Sequence, residues 1–302
     1  MPDISKINAL AIGSVAKVDG LAKASILDID GVAVPSGVAP PLDTYTGASA
    51  AYSVRLLRTA YTWSCMRVRE DGGNTETDIG FDSNGDLETA AIASHCGANN
   101  GFIRYWYDQS GNAVDAGQAT ATSQPQIYNG TAVVTDGTSS IPSIYFNGSD
   151  ALQSASFTTV SQPLTVFHSL TLTQALTGTK YIWSLQGFSG GVNNLADNGT
   201  KWKYWYGGSL DRNVGTSSVA QHILTSLANG TLSTIWQNGT AVTEGRLDAG
   251  STGMDQIYLG NWNATSGGFD GYINEWIIYP SDQDAAGNRD DIENNLIDYY
   301  II

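Results

Sequence analysis

From about residue 125 to residue 280 the chain is a string of short apolar and aromatic runs, each strand-sized and each closed by turn formers. "SIYFNG", "LTVFHSLTL", "YIWSLQG", "KWKYWYGG", "HILTSL", "STIWQNG", "QIYLGNW" and "GYINEWIIY" follow one another in this way. Strand-length runs with Asn-Gly and Asp-Gly punctuation predict a mainly β sandwich. The composition agrees, with 41% apolar residues, eight Trp and fifteen Tyr but only 14% charged residues. A chain of this length and apolar content buries a full core.

Upstream the pattern is mixed. Ala50, Val54, Leu57 and Tyr61 keep helical spacing, so "TGASAAYSVRLLRTAY" (46–61) is expected to be a helix with Arg55 and Arg58 off its apolar stripe. "CMRVRE" (65–70) reads as a strand. "DLETAAIASHCG" (86–97) reads as a short helix with Asp86 as N-cap. "FIRYWY" (102–107) reads as a buried strand running into the loop "DQSGN". The end, "NRDDIENNLIDYYII", places Ile292, Leu296 and Tyr299 on one face of a closing helix capped by Asn288.

Residues 4–36 superimpose as three rows of eleven, "ISKINALAIGS", "VAKVDGLAKAS" and "ILDIDGVAVPS". Each row reads as strand, tight turn, strand. A lone hairpin is marginal in water and stacked repeats need neighbours on their edges. The rows are therefore expected to serve as an anchor, residues 1–36, with Ile4, Ile7, Val15, Val18, Ile26 and Ile29 as its oligomerisation residues. A homo-oligomer, and in particular a trimer, would cover those edges. A proline-rich linker at 37–42 then leads into a sandwich domain at 43–302.

Twenty-nine acids against fourteen bases give a net charge of −15, which makes nucleic acid and anionic membrane poor partners. No stretch has the length of a membrane span, and "MPDISKI" lacks a basic leader, so synthesis and folding in a cytoplasm are expected. Cys65 and Cys96 stand outside any metal-ligand spacing and are expected to be free, buried thiols.

Chemistry-bearing patterns are sparse. "GFSGG" (187–191) matches a nucleophile elbow, but no helix follows it. His95, His168 and His222 have no second ligand type at metal spacing. "DSNGD" offers Asp82, Asn84 and Asp86 as oxygen donors for calcium, the one cofactor considered, although no bidentate Glu closes the loop. "KWKYWYGG" places Trp202, Tyr204 and Tyr206 on one strand face and Trp205 on the other. Aromatic faces stack on sugar rings, so these residues with Asn261, Trp262 and Asp108 are candidates for glycan binding. Asp197, Asp211, Asp248, Asp255, Asp270 and Glu275 are the carboxylates from which a hydrolytic pair would be drawn.

The stretch "AYSVRLLRTAY…RVRE…DIGFDSNGDLETAA…GFIRYWYDQSGN…QPQI…FNGSD" resembles the arabinofuranosidase B catalytic-domain family, with "YDQSGN" its most specific motif. The second half, ending "IYLGNWN…FDGYINEWIIYPSD", is similar to concanavalin A-like (laminin G-like) sandwiches, so the resemblance implies a jelly roll with a few short helices. It also implies a Glu nucleophile and an Asp acid. Here Asp255 stands in the Glu position, and Asn261-Trp262-Asn263 replaces the segment bearing the acid. The expectation is therefore a non-enzymatic protein, with an arabinofuranosidase-type glycosidase using Asp255 as the alternative. The opening rows resemble those of tailed-phage structural proteins. That likeness implies a virion fibre, tail or decoration component, made in the host cytoplasm, with other virion proteins and host surface polysaccharide as partners.

Overall fold

In this computed structural model, residues 38–137, 139–174, 180–186, 201–202, 215–242, 248–251, 253–262 and 268–300 are described in full. Only the backbone is described for 192–197, 203–206, 210–214 and four two-residue strands before residue 34. Those four are β1 (Lys17–Val18) paired with β2 (Leu21–Ala22), and β3 (Asp28–Ile29) paired with β4 (Val32–Ala33). The side chains of Ile4, Ile7, Val15, Val18, Ile26 and Ile29 lie outside the described residues.

A short helix α1 (Pro41–Thr44) precedes β5 (Ala50–Ser53), β6 (Met66–Glu70), β7 (Glu76–Ile79), helix α2 (Thr89–Cys96), β8 (Asn100–Trp106) and β9 (Ala116–Gly117). Next come β10 (Gln126–Asn129), β11 (Ile144–Asn147), β12 (Leu152–Ser154), β13 (Leu164–Leu172), β14 (Lys180–Gln186), β15 (Val192–Asp197), β16 (Trp202–Tyr206) and β17 (Leu210–Val214). The chain finishes with β18 (Gln221–Ala228), β19 (Thr234–Gln237), β20 (Thr240–Ala241), β21 (Gln256–Leu259), β22 (Asp270–Tyr279) and helix α3 (Arg289–Tyr300). All pairings between these strands are antiparallel.

The strands form two layers. The back layer runs β20-β19-β18-β13-β22, and the long β22 gives its other edge to β11 with its first half and to β5 with its second. The front layer runs β17-β16-β15-β14-β21-β12-β9-β8-β6-β7, and β10 joins the layers by pairing with both β11 and β8. Between the layers lies the main core, including Trp106, Trp183, Trp276, Phe146 and Leu259. This is the mainly β sandwich expected from the run pattern.

The back layer is covered on both faces. A second cluster of Leu57, Phe167, Ile277, Tyr279, Ile292, Leu296 and Tyr300 packs on its outer side. All nine residues of β13 are buried for this reason, its polar Thr165, His168, Ser169 and Thr171 included. His168 is caught inside it with neither ring nitrogen hydrogen bonded among the described residues, and burial, aided by His222, pushes its pKa down to about 3.

The predicted helix at 46–61 is a correction. Ala50–Ser53 pair with β22 instead, and every one of the four is buried. Small and aromatic side chains spaced by four satisfy a helix stripe, but here they fill a strand enclosed on both sides, and tertiary packing overrides the period. Helix α2 begins at Thr89 rather than after Asp86, because Asp86 bridges to Arg55 and accepts the Tyr299 hydroxyl at 2.6 Å. Both cysteines are free and buried.

Arg55 is the buried charge of this junction. Its Nε donates to Glu275 Oε2 at 2.7 Å and its Nη2 to Glu275 Oε1 at 3.0 Å, with both side chains almost wholly buried. Ser53 and Tyr300 hydroxyls also donate to Glu275 Oε2, Asn295 accepts from Arg55 Nη2, and the guanidinium lies 4.4 Å over the Tyr299 ring. Breaking such a pair strands one buried charge. Glu275→Gln is expected to lower unfolding free energy by about 3–5 kcal/mol in urea denaturation. The paired change Arg55→Met with Glu275→Leu should cost clearly less.

Candidate functional site

With the outer side of the back layer covered, the outer side of the front layer is the candidate surface. Antiparallel pairing lines up one row of residues across it. Asp78 stands opposite Arg67, Arg67 opposite Tyr105, Tyr105 opposite Gly117 and Gly117 opposite Gln153. Gln153 in turn faces Tyr258, and Tyr258 faces Ser184. The same row continues at the register positions Asn194, Trp205 and Asp211. The strand neighbours Trp106, Leu259 and Trp183 are core residues, so this row belongs to the opposite, outer face. It is polar or aromatic at every position except Gly117.

At the β6–β7 end the face opens into a cavity of about 560 Å³, lined by Arg58, Tyr61, Trp63, Arg67, Asp78, Tyr107, Asp108 and Asp115 among others. Two of its carboxyls have opposite tendencies. Asp78 is held by Arg67 through two bonds, at 2.7 and 2.8 Å, and accepts the Tyr107 hydroxyl at 2.8 Å. Those contacts, Arg67 first, hold its pKa below the usual carboxylate value. Asp115 is half-buried, and one oxygen accepts the Asp108 amide at 2.9 Å. Its other oxygen makes no protein hydrogen bond among the described residues. Burial pushes its pKa up, and the neighbouring Asp108 charge adds to the rise.

The "YDQSGN" motif builds the wall of this cavity. Asp108 Oδ1 accepts the amides of Ala51 and Ser110, while Oδ2 accepts the Val114 amide and the Ser110 hydroxyl. Gln109 Oε1 accepts the Leu57 amide, and its Nε2 donates to the carbonyls of Ser53 and Arg55. Asn112 donates to the carbonyls of Ala48 and Ser49, across a turn in which Gly111 has φ +96°. The motif is a clasp on segment 48–57.

This corrects Asp108 as a glycan ligand, because four donors already occupy its oxygens. Trp202 is corrected too: it is fully buried, edge-on to the His222 ring at 5.0 Å. Tyr204 shares the register of the core row through Leu195 and Trp183, whereas Trp205 lies in the outer row. The side chains of Tyr204, Trp205 and Tyr206 lie outside the described residues, as do those of Asp197 and Asp211. Trp262 is partly exposed, 5.8 Å from Tyr181, with its carbonyl accepting from Gln186; Asn261 is buried. Asp255 precedes β21, which lies two strand spacings, roughly 10 Å, from β9, the strand that Asp115 of the cavity precedes. Asp82 Oδ1 accepts the amides of Asn84 and Asp86, so the calcium candidates form a turn held by its own backbone. Among the described residues no cluster of three His, Cys, Asp or Glu could hold a metal, and no helix is long and apolar enough to cross a membrane. Sequence reading missed Arg58, Trp63, Asp78 and Asp115, which lie in three separate segments.

No family model and no curated protein matches this chain. Solved structures do. A GH54 α-L-arabinofuranosidase soaked with a cyclic sulfate inhibitor aligns with a TM-score of 0.61 at 15% identity. An arabinofuranosidase complexed with arabinofuranosyl-α-1,2-xylobiose gives 0.61 at 16%, and a mutant GH54 enzyme soaked with 4-nitrophenyl α-L-arabinofuranoside gives 0.62 at 14%. Each alignment covers 88% of this chain and 65% of the other, so the chain spans under two thirds of those proteins. The fold is thus the β-sandwich seen in these glycoside hydrolases. The expectation of a non-enzymatic protein is overturned by this finding, since these fold neighbours are enzymes. Nothing found for the chain carries the virion expectation.

One buried carboxyl lies in a turn whose backbone packs near Gly260, the residue before Asn261 and Trp262. Asp150 is 2% exposed; Oδ2 accepts the Asn147 amide at 3.0 Å and Oδ1 has no partner among the described residues. Its segment packs against Gly260, where a Cβ would strike Phe146 at 2.1 Å. Burial pushes the Asp150 pKa up to about 6. The folded state therefore prefers the protonated acid, and stability falls as pH rises from about 4 to about 6. Asp150→Asn should raise the melting temperature at pH 7, and the difference from wild type should vanish near pH 3.5.

Proposed function

We propose that this chain is a glycoside hydrolase acting on arabinofuranosyl-bearing glycans, with its reaction in the Asp78–Asp115 cavity. The observation that carries the reading is the carboxyl pair in one cavity whose surroundings drive their proton affinities apart, within a fold shared with arabinofuranosidases. Asp115 keeps its proton longer than an ordinary carboxyl and donates it through its free oxygen to the departing glycosidic oxygen. Asp78, held ionised by Arg67, faces the positive charge that grows on the sugar as that bond breaks; a water then bonds the anomeric carbon and gives its proton to the Asp115 carboxylate, restoring the acid. The Trp63, Tyr61 and Tyr107 rings wall the sugar off from water on their side.

The test compares two substrates. Wild type should release arabinose from arabinofuranosyl-α-1,2-xylobiose and nitrophenolate from 4-nitrophenyl α-L-arabinofuranoside. Asp115→Asn should reduce the first rate by about 10²–10⁴-fold. It should reduce the second far less, because nitrophenolate leaves without help from a proton. The wild-type rate should fall as pH rises through the elevated Asp115 pKa. No release from either substrate by wild type would refute the reading. Loss of activity in Asp255→Asn with Asp115→Asn unimpaired would move the reaction to the β21 end of the face.

A further inference from the structure

Trp63 is 78% exposed, the barest large apolar side chain among the described residues, and it stands on the rim of the cavity rather than on open surface. An indole left in water beside a polar cavity is suited to an apolar ring face, and the C–H face of a sugar is one.

The ionisable groups around the cavity are Arg58, Arg67, Asp78, Asp108, Asp115, Tyr61 and Tyr107. Arg67 and Asp78 balance each other through their two bonds. Asp108 is wrapped by three amides and a hydroxyl. Tyr107 donates to Asp78, and Tyr61 donates to the Ser64 carbonyl at 2.9 Å. Arg58 is the exception. Its one contact is from Nη1 to the Ser110 carbonyl at 3.4 Å, and no carboxylate meets it among the described residues. In a chain with twenty-nine acids and fourteen bases, a guanidinium lining a cavity without an acidic partner is a vacant fork for an anion.

We infer that Arg58 and Trp63 form a subsite for an acidic sugar, a uronate whose ring stacks on the Trp63 indole while its carboxylate takes the Arg58 fork. The inference names the substrate class of the cavity and rests on the glycan reading given above, though not on the hydrolytic step. A flat, partly hydrated guanidinium gives two parallel bonds to a carboxylate, whereas a neutral sugar hydroxyl engages only one. The bound carboxylate also shares the cavity with Asp115 and favours its protonated form.

Calorimetric titration of the full chain tests this with xylotriose bearing one glucuronic acid branch, and with the same oligosaccharide after reduction of its carboxyl to the alcohol. The acid form should bind about tenfold more tightly at low salt, with the gap narrowing as salt rises. Arg58→Met should remove the gap and leave affinity for the reduced sugar unchanged. Trp63→Ala should weaken both sugars, and neither surface change should disturb folding. Equal affinity of wild type for the two sugars, a gap that survives Arg58→Met, or no binding of either would overturn the subsite. A uronate gap without arabinose release leaves the subsite standing and refutes hydrolysis; arabinose release without a gap does the reverse.

Discussion

The Arg55–Glu275 pair is the contact on which the arrangement of layers depends. It joins β5 to β22 where the two strands run side by side, and through Asn295 and Tyr300 it ties helix α3 to the same point. Two opposite charges removed from water give little net stability, but separating them is severely unfavourable. The pair therefore acts as a register pin: sliding β5 along β22 by one residue would send Ser53 to the wrong face and part the charges. The clasp of Asp108, Gln109 and Asn112 then fixes the same segment from the other side. Held at both ends, segment 48–57 presents Arg58 and the following turn to the cavity.

The sandwich is unequal because α3 covers only one of its sides. The back layer is enclosed by the core and by α3, so its side chains, the polar His168 and Glu275 included, are shut away from any ligand. Polar and aromatic groups collect on the outer side of the front layer, where strand pairing sets Asp78, Arg67, Tyr105 and Gln153 in one accessible line before the row becomes buried at Tyr258 and Ser184.

The architecture was largely legible in the sequence because strand-length runs and Asn-Gly turns are local signals. Gly130, Gly148, Gly230 and Gly239, each following an Asn, all take positive φ as such turns require. The segment 46–61 was misread because an enclosed strand and a helix stripe both accept Ala50, Val54 and Leu57. The cavity was not legible at all. Trp63, Asp78 and Asp115 belong to three segments, and only the pairing of β6 with β7 and β8, and the clasp after β8, bring them together. "YDQSGN" stood out for the opposite reason: its side chains make so many backbone bonds that almost no other residues would serve. The motif's specificity is structural, and the chemistry lies beside it.

That separation bears on how far likeness to the arabinofuranosidases reaches. At 14–16% identity the shared property is a backbone frame, and a frame does not choose its carboxylates. Glu275 would satisfy a search for acidic residues on a sandwich strand, yet it is 0% exposed and bound to Arg55, so it cannot meet a substrate. Asp270 accepts from Tyr145, Thr173 and Gln174 and stands on β22 of the back layer, outside the cavity lining. What distinguishes Asp115 is an oxygen left without a protein donor inside an aromatic-rimmed cavity, with a charged neighbour that favours its proton. A carboxyl acquires a catalytic role from the bonds the fold withholds as much as from those it supplies. On this face of the molecule that condition is met in the cavity by Asp115.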